Sequence, residues 1–144
     1  MSEFLAPLNY GRARDVLRRL SRYSAYTPQG AAQALDVLRE SYPLVFDKLE
    51  SKQFDNGAVL MEMPGASSTA PLVFVSHLDA AGTEAVAADS PHEMPISVPL
   101  SRAHLVALLE ALEGLLGEGY QPGGDLLLAL SMDGLSGGAG ARSI

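Results

Sequence analysis

Two hydrophobic rhythms alternate along the chain. Residues 10–23 carry Val16, Leu17 and Leu20 among arginines, an apolar stripe at helical spacing that predicts an amphipathic helix. Thr27-Pro28 supplies an N-cap with proline at the first helical position, and the run behind it sets Ala31, Leu35, Val37 and Leu38 on its buried side until Tyr42-Pro43 stops it. The rhythm then shortens. Residues 44–54 and 58–63 are rich in strand formers and flank Asp55-Asn56-Gly57, which predicts an antiparallel hairpin. After a small-residue loop over 64–70, Leu72-Val73-Phe74-Val75-Ser76 is a short unbroken apolar run, as expected of a strand covered on both faces.

Beyond residue 79 periodicity is lost: residues 80–90 are small and acidic, and Pro91, Pro95 and Pro99 punctuate the stretch up to Leu100, so the whole segment reads as a loop. Leu105, Leu108, Leu109, Leu112, Leu115 and Leu116 then recur at helical spacing within 102–116, closed by Gly117 and Gly119. Gln121-Pro122-Gly123-Gly124 leads into residues 125–132, apolar throughout at Leu126-Leu127-Leu128-Ala129-Leu130. Strand, helix and strand in this order form a parallel crossover unit. The expected fold class is α/β, a mixed sheet with flanking helices in a single domain over residues 1–144. There is no internal repeat, and the one low-complexity patch is the Gly-rich tail over 134–141.

Composition narrows the partners. At 144 residues and 47% hydrophobic, the chain suits one globular domain, which at this size buries roughly 68–70% of its unfolded surface. A net charge of -7 argues against nucleic acid and anionic membranes. The one basic cluster, Arg12, Arg14, Arg18, Arg19 and Arg22, reads as a solvated helix face. With no cysteine, disulfides and thiolate metal sites are excluded. Met1-Ser2-Glu3-Phe4 lacks the order of a targeting segment, and no run approaches the ~18 apolar residues of a membrane span, so a cytoplasmic location is expected.

Candidate chemistry begins at His77-Leu78-Asp79, where a strand ends in a histidine and a carboxylate two residues apart. Such a pair can start a metal site, yet a hydrolytic zinc centre needs at least three protein ligands and a general base. There is no Gly-x-Ser-x-Gly elbow for a serine nucleophile, and the glycines of the tail lack the Gly-Lys-Ser/Thr element of a phosphate loop.

The residues Tyr42-Pro43-Leu44-Val45-Phe46 through Leu60, the run 71–79, the run 105–113 through Gly119-Tyr120-Gln121-Pro122, and the run 133–141 together carry a family likeness. In order and spacing the chain resembles the amino-terminal half of the catalytic domain of the carboxypeptidase S and aminoacylase type of zinc peptidases. The resemblance implies a partial catalytic domain of the phosphorylase/hydrolase-like class, with a two-zinc site at the carboxyl ends of its strands, where open α/β sheets place ligands. It makes His77 a zinc ligand and Asp79 the carboxylate that orients its imidazole.

The other parts of the family's centre do not match. The bridging Asp should fall near Leu100-Ser101, but no Asp or Glu lies between Met94 and Leu109. Where the family has Asp-Glu-Glu the chain reads Asp133-Gly134-Leu135, which removes the general base and one ligand. The Gly-Arg-Gly stretch before the bridging Asp is absent, and the family's remaining ligands belong to a second half past Ile144. A pseudoenzyme is therefore expected, either a natural degenerate relative or a truncated or rebuilt piece of such an enzyme, with no cofactor expected and zinc the one candidate.

Two further readings stay open. One is a residual metal-dependent peptidase or amidohydrolase on small peptides or N-acyl amino acids, completing its site with His104, Asp133 or a second copy of the chain. The other is a structural or interaction module. Against the first, Ser101-Arg102-Ala103-His104 reads as a helix cap and first turn, Asp133 as a turn-former before Gly134, and His92 as a solvated loop residue. A sheet edge or helix face that the family's second half would cover predicts a homo-oligomer.

Overall fold

In the computed structural model, residues 8–23, 27–78 and 100–131 are described. Among these residues, four helices and four strands run in the order α1 (Tyr10–Leu20), α2 (Pro28–Ser41), α3 (Pro43–Lys48), β1 (Glu50–Gln53), β2 (Val59–Met63), β3 (Leu72–His77), α4 (Leu100–Gly117) and β4 (Leu126–Ser131). The strands form one mixed sheet in the order β1-β2-β4-β3, with β3 and β4 parallel and the other neighbours antiparallel. The helix α4 joins the parallel pair, as the sequence predicts for a crossover.

Local signals explain most elements. Asn9 Oδ1 accepts the Arg12 amide at 2.9 Å to open α1, and Thr27 Oγ1 accepts the Gly30 amide at 3.0 Å to open α2, with Pro28 in its first turn. Between β1 and β2, Asn56 Oδ1 accepts the Ala58 amide at 3.1 Å and Gly57 takes a φ of 85°, which only glycine adopts without strain. The hairpin turn therefore stands where Asp55-Asn56-Gly57 places it.

One expectation fails at residues 44–48, where the pattern predicts strand and the chain forms helix. No side chain at Tyr42 caps α3; instead Glu113, one helix away on α4, accepts the amides of Leu44 at 3.2 Å and Val45 at 3.0 Å. Those are the second and third helical amides, the donors that an N-cap side chain ordinarily satisfies. The signal for α3 thus lies 68 residues downstream, out of reach of any local pattern. Similarly, α4 begins at Leu100, so Ser101 lies inside its first turn rather than ahead of it as a cap.

The register fixes which side of the sheet is core. Val59, Met61, Leu126, Leu128 and Leu130 share one face and pack with Val16 and Leu20 of α1, Leu35 and Leu38 of α2, Val45 of α3 and Leu105 and Leu109 of α4. Each fully buried leucine contributes roughly 1.5–3 kcal/mol relative to exposure. Leu60, Val73, Val75, Leu127 and Ala129 occupy the other face. The second expectation fails at β3, an edge strand among the described residues, in which Leu72 on the core face and Val73 and Val75 on the other are 57%, 53% and 64% exposed rather than covered. A continuous apolar run shows that a strand lacks polar positions, not that both of its faces are occupied.

Three polar ties close the helical layer. The guanidinium of Arg102, buried in the first turn of α4, donates to the Leu20 carbonyl and, at 3.1 Å from both terminal nitrogens, to the Tyr23 carbonyl. A cation thereby meets the negative end of α1. Arg12 donates to both oxygens of the buried Glu110, at 2.9 and 2.6 Å, and lies 5.3 Å from the centre of the Tyr42 ring. Arg19 pairs with Glu40 on α2. The basic cluster of α1 is therefore not only a solvated face, since two of its arginines bind neighbouring helices.

Candidate functional site

Parallel pairing brings the carboxyl ends of β3 and β4 to one edge, and there His77 is the register partner of Ser131. Its Nδ1 lies 2.6 Å from Ser131 Oγ, while that hydroxyl also stands 3.5 Å from the Ser76 carbonyl, a long contact. The Leu78 amide donates to the Ser131 carbonyl at 3.0 Å, so the ladder continues one residue past the histidine and fixes its position. Ser131 is wholly buried and His77 partly so. This contact holds the imidazole ring in one orientation.

The remaining sequence candidates do not converge on it. His104 sits exposed on the early part of α4. Among the described residues, no group of three or more His, Cys, Asp or Glu side chains could hold a metal ion. Leu100 and Ser101, where the resemblance places a bridging carboxylate, are the first two residues of α4. Asp79, His92, Asp133 and the Gly-rich tail lie outside the described residues.

Ser131 escapes a reading of the sequence because only strand register reveals it. A lone hydroxyl ending the apolar run 126–130, aligned against a histidine ending the run 72–76, is the available sign. Glu110 and Glu113 escape it as well, although two carboxylates three residues apart on an otherwise apolar helix stripe signal a buried polar face. Both point at the helical layer rather than at the His77 edge. Burial by itself would raise the pKa of Glu110, but hydrogen bonds from Arg12 and the Asn9 amide outweigh it and hold the carboxyl below its ordinary value. The same contact raises the pKa of Arg12, and burial followed by the nearby Glu110 charge pushes that of the Tyr42 hydroxyl upward. These shifts stabilise the charged pair and leave Tyr42 neutral, which is the electrostatics of a structural clip.

No family model matches the chain, and no curated protein sequence does. Solved structures match its fold. A tripeptidase from Staphylococcus aureus aligns with 95% of this chain and 40% of its own, at a TM-score of 0.70 and 18% identity. Aminopeptidase PepT from Bacillus cereus aligns with 95% of this chain and 40% of its own, at 0.65 and 17%. Aminoacylhistidine dipeptidase from Vibrio alginolyticus aligns with 100% of this chain and 32% of its own, at 0.53 and 15%. The chain has an α/β fold that matches part of peptidase structures, and it spans less than half the length of each.

Proposed function

We propose that this chain is a peptidase-fold domain without hydrolase activity, its sheet retained and its metal chemistry given up. The observation that carries this reading is the environment of His77, whose Nδ1 lies 2.6 Å from the buried Ser131 hydroxyl. A hydrolytic zinc pair requires a bridging carboxylate, further ligands on each ion and a base to activate water. By the resemblance those places fall at Leu100-Ser101 and at Gly134-Leu135, none of which supplies a carboxylate. The residues at those places therefore do not fit the two-zinc centre, and among the described residues the one imidazole at this sheet edge offers too few donors to hold a single ion firmly.

The experiment is hydrolysis of tripeptides, dipeptides and N-acetyl amino acids by the purified chain with zinc, cobalt or manganese supplied. Loss of a positioned general base alone typically costs ~10²–10⁴ in rate, and turnover is expected at the uncatalysed background under every metal. Turnover that tracks added metal and disappears in His77→Ala would overturn the reading.

A further inference from the structure

We propose that the outer edge of β3 is a self-association surface, where two copies of this chain pair their β3 strands antiparallel about a two-fold axis at Phe74. The two edges of the sheet differ in a way that calls for an explanation. At one, β1 presents Glu50, Ser51, Lys52 and Gln53, all exposed, the polar dressing that keeps an edge strand single. At the other, β3 presents Leu72, Val73 and Val75 at more than half exposure, and no Asp, Glu, Lys or Arg occurs anywhere in residues 64–78. An uncharged apolar edge of this kind favours strand pairing.

Main-chain geometry sets the register. The Leu72 amide donates to the Asp125 carbonyl at 2.8 Å and the Leu78 amide to the Ser131 carbonyl at 3.0 Å. Even-numbered residues of β3 therefore turn their backbone groups toward β4, and those of Val73 and Val75 face the outer edge. Among the described residues β3 pairs with β4 alone. Centring the two-fold on Phe74 sets Val73 opposite the partner's Val75 and Val75 opposite the partner's Val73, both as hydrogen-bonded pairs, with the valines side by side on the same face. Sliding the register toward the amino terminus would bring in Pro71, which has no amide to donate.

Charge selects a second copy at this edge over the other. Each chain carries -7, so two copies repel unless they meet where neither presents a carboxylate. The β1 edge offers Glu50, with Glu62 as its cross-strand neighbour, and the β3 edge offers neither. Six extended residues make an edge about 20 Å long. Together with its flanking side chains it buries on the order of 500 Å² per copy, below the ~800 Å² of a standard stable interface, which corresponds to a reversible dimer.

Sedimentation velocity on the full chain from about 1 to about 200 µM, the range that suits a small interface, tests this. The expected result is a shift from the 15.2 kDa species to twice that mass as concentration rises. Val73→Lys and Val75→Lys, each present twice at the interface, should each raise the dissociation constant at least about tenfold, since each lysine then replaces a valine facing the partner's valine and the two new charges stand diagonally across the strand pair. Tyr10→Lys, at an exposed position on α1, should leave it unchanged. A readout on the unaltered chain guards against variants that fold poorly: amide exchange at Val73 and Val75 should slow as concentration rises. A 15.2 kDa species throughout the range, a dimer that both lysine variants leave intact, or a dimer without protection of those two amides would each overturn the proposal.

Discussion

Removing the Glu113 carboxylate tests whether α3 is held by a tertiary cap. In Glu113→Ala the amides of Leu44 and Val45 lose their acceptor, and Val45 is wholly buried, so water cannot replace it there without opening the helical layer. A buried donor left unsatisfied costs about 1–3 kcal/mol, and a helix that loses its N-cap about 1 kcal/mol. A six-residue helix has little propensity of its own to offset this. The expected loss is about 2–4 kcal/mol, or roughly 5–15 °C in Tm for a chain of this length. Glu113→Gln keeps one oxygen acceptor and should lose about half as much. Urea melts followed by far-UV circular dichroism measure both, and amide exchange at residues 44–48 locates the damage. An alanine variant within about 0.5 kcal/mol of the parent, the ordinary range for an inconsequential surface change, would refute the reasoning. So would a glutamine variant as damaged as the alanine one.

Three other outcomes are expected from the geometry. A Cβ on Gly65 would stand 2.2 Å from the Gly124 carbonyl carbon, and one on Gly124 would stand 2.5 Å from the Ala70 carbonyl oxygen, so Gly65→Ala and Gly124→Ala should each destabilise by about 1–3 kcal/mol in urea melts. Gly123→Ala, whose Cβ would meet nothing nearer than Thr69 Oγ1 at 3.8 Å, should stay within about 0.5 kcal/mol of the parent and serves as the control. Glu110→Gln should cost about 1–2 kcal/mol at neutral pH, with the partial exposure of Arg12 keeping the loss small. Because the folded pKa of Glu110 is depressed, its stabilisation is present above the ordinary value of 4.5 and is lost as pH falls through the folded value, so the gap between parent and variant should close below pH 4.5.

Elements whose signals are local are legible in the sequence alone. The stripes of α1, α2 and α4, the cap at Thr27 and the Asp55-Asn56-Gly57 turn act within a few residues, as does the strand, helix and strand order behind the parallel pair, and local pattern reads all of these directly. Features that depend on partners far along the chain emerge only once it is folded. Residues 43–48 are helical because Glu113 supplies their cap, Arg12 is bound because Glu110 lies under it, and β3 is an exposed edge because β4 inserts beside β2 and leaves β3 outermost. The pairing of His77 with Ser131 comes from strand register, which is set by the whole sheet and leaves no mark on the residues around either side chain.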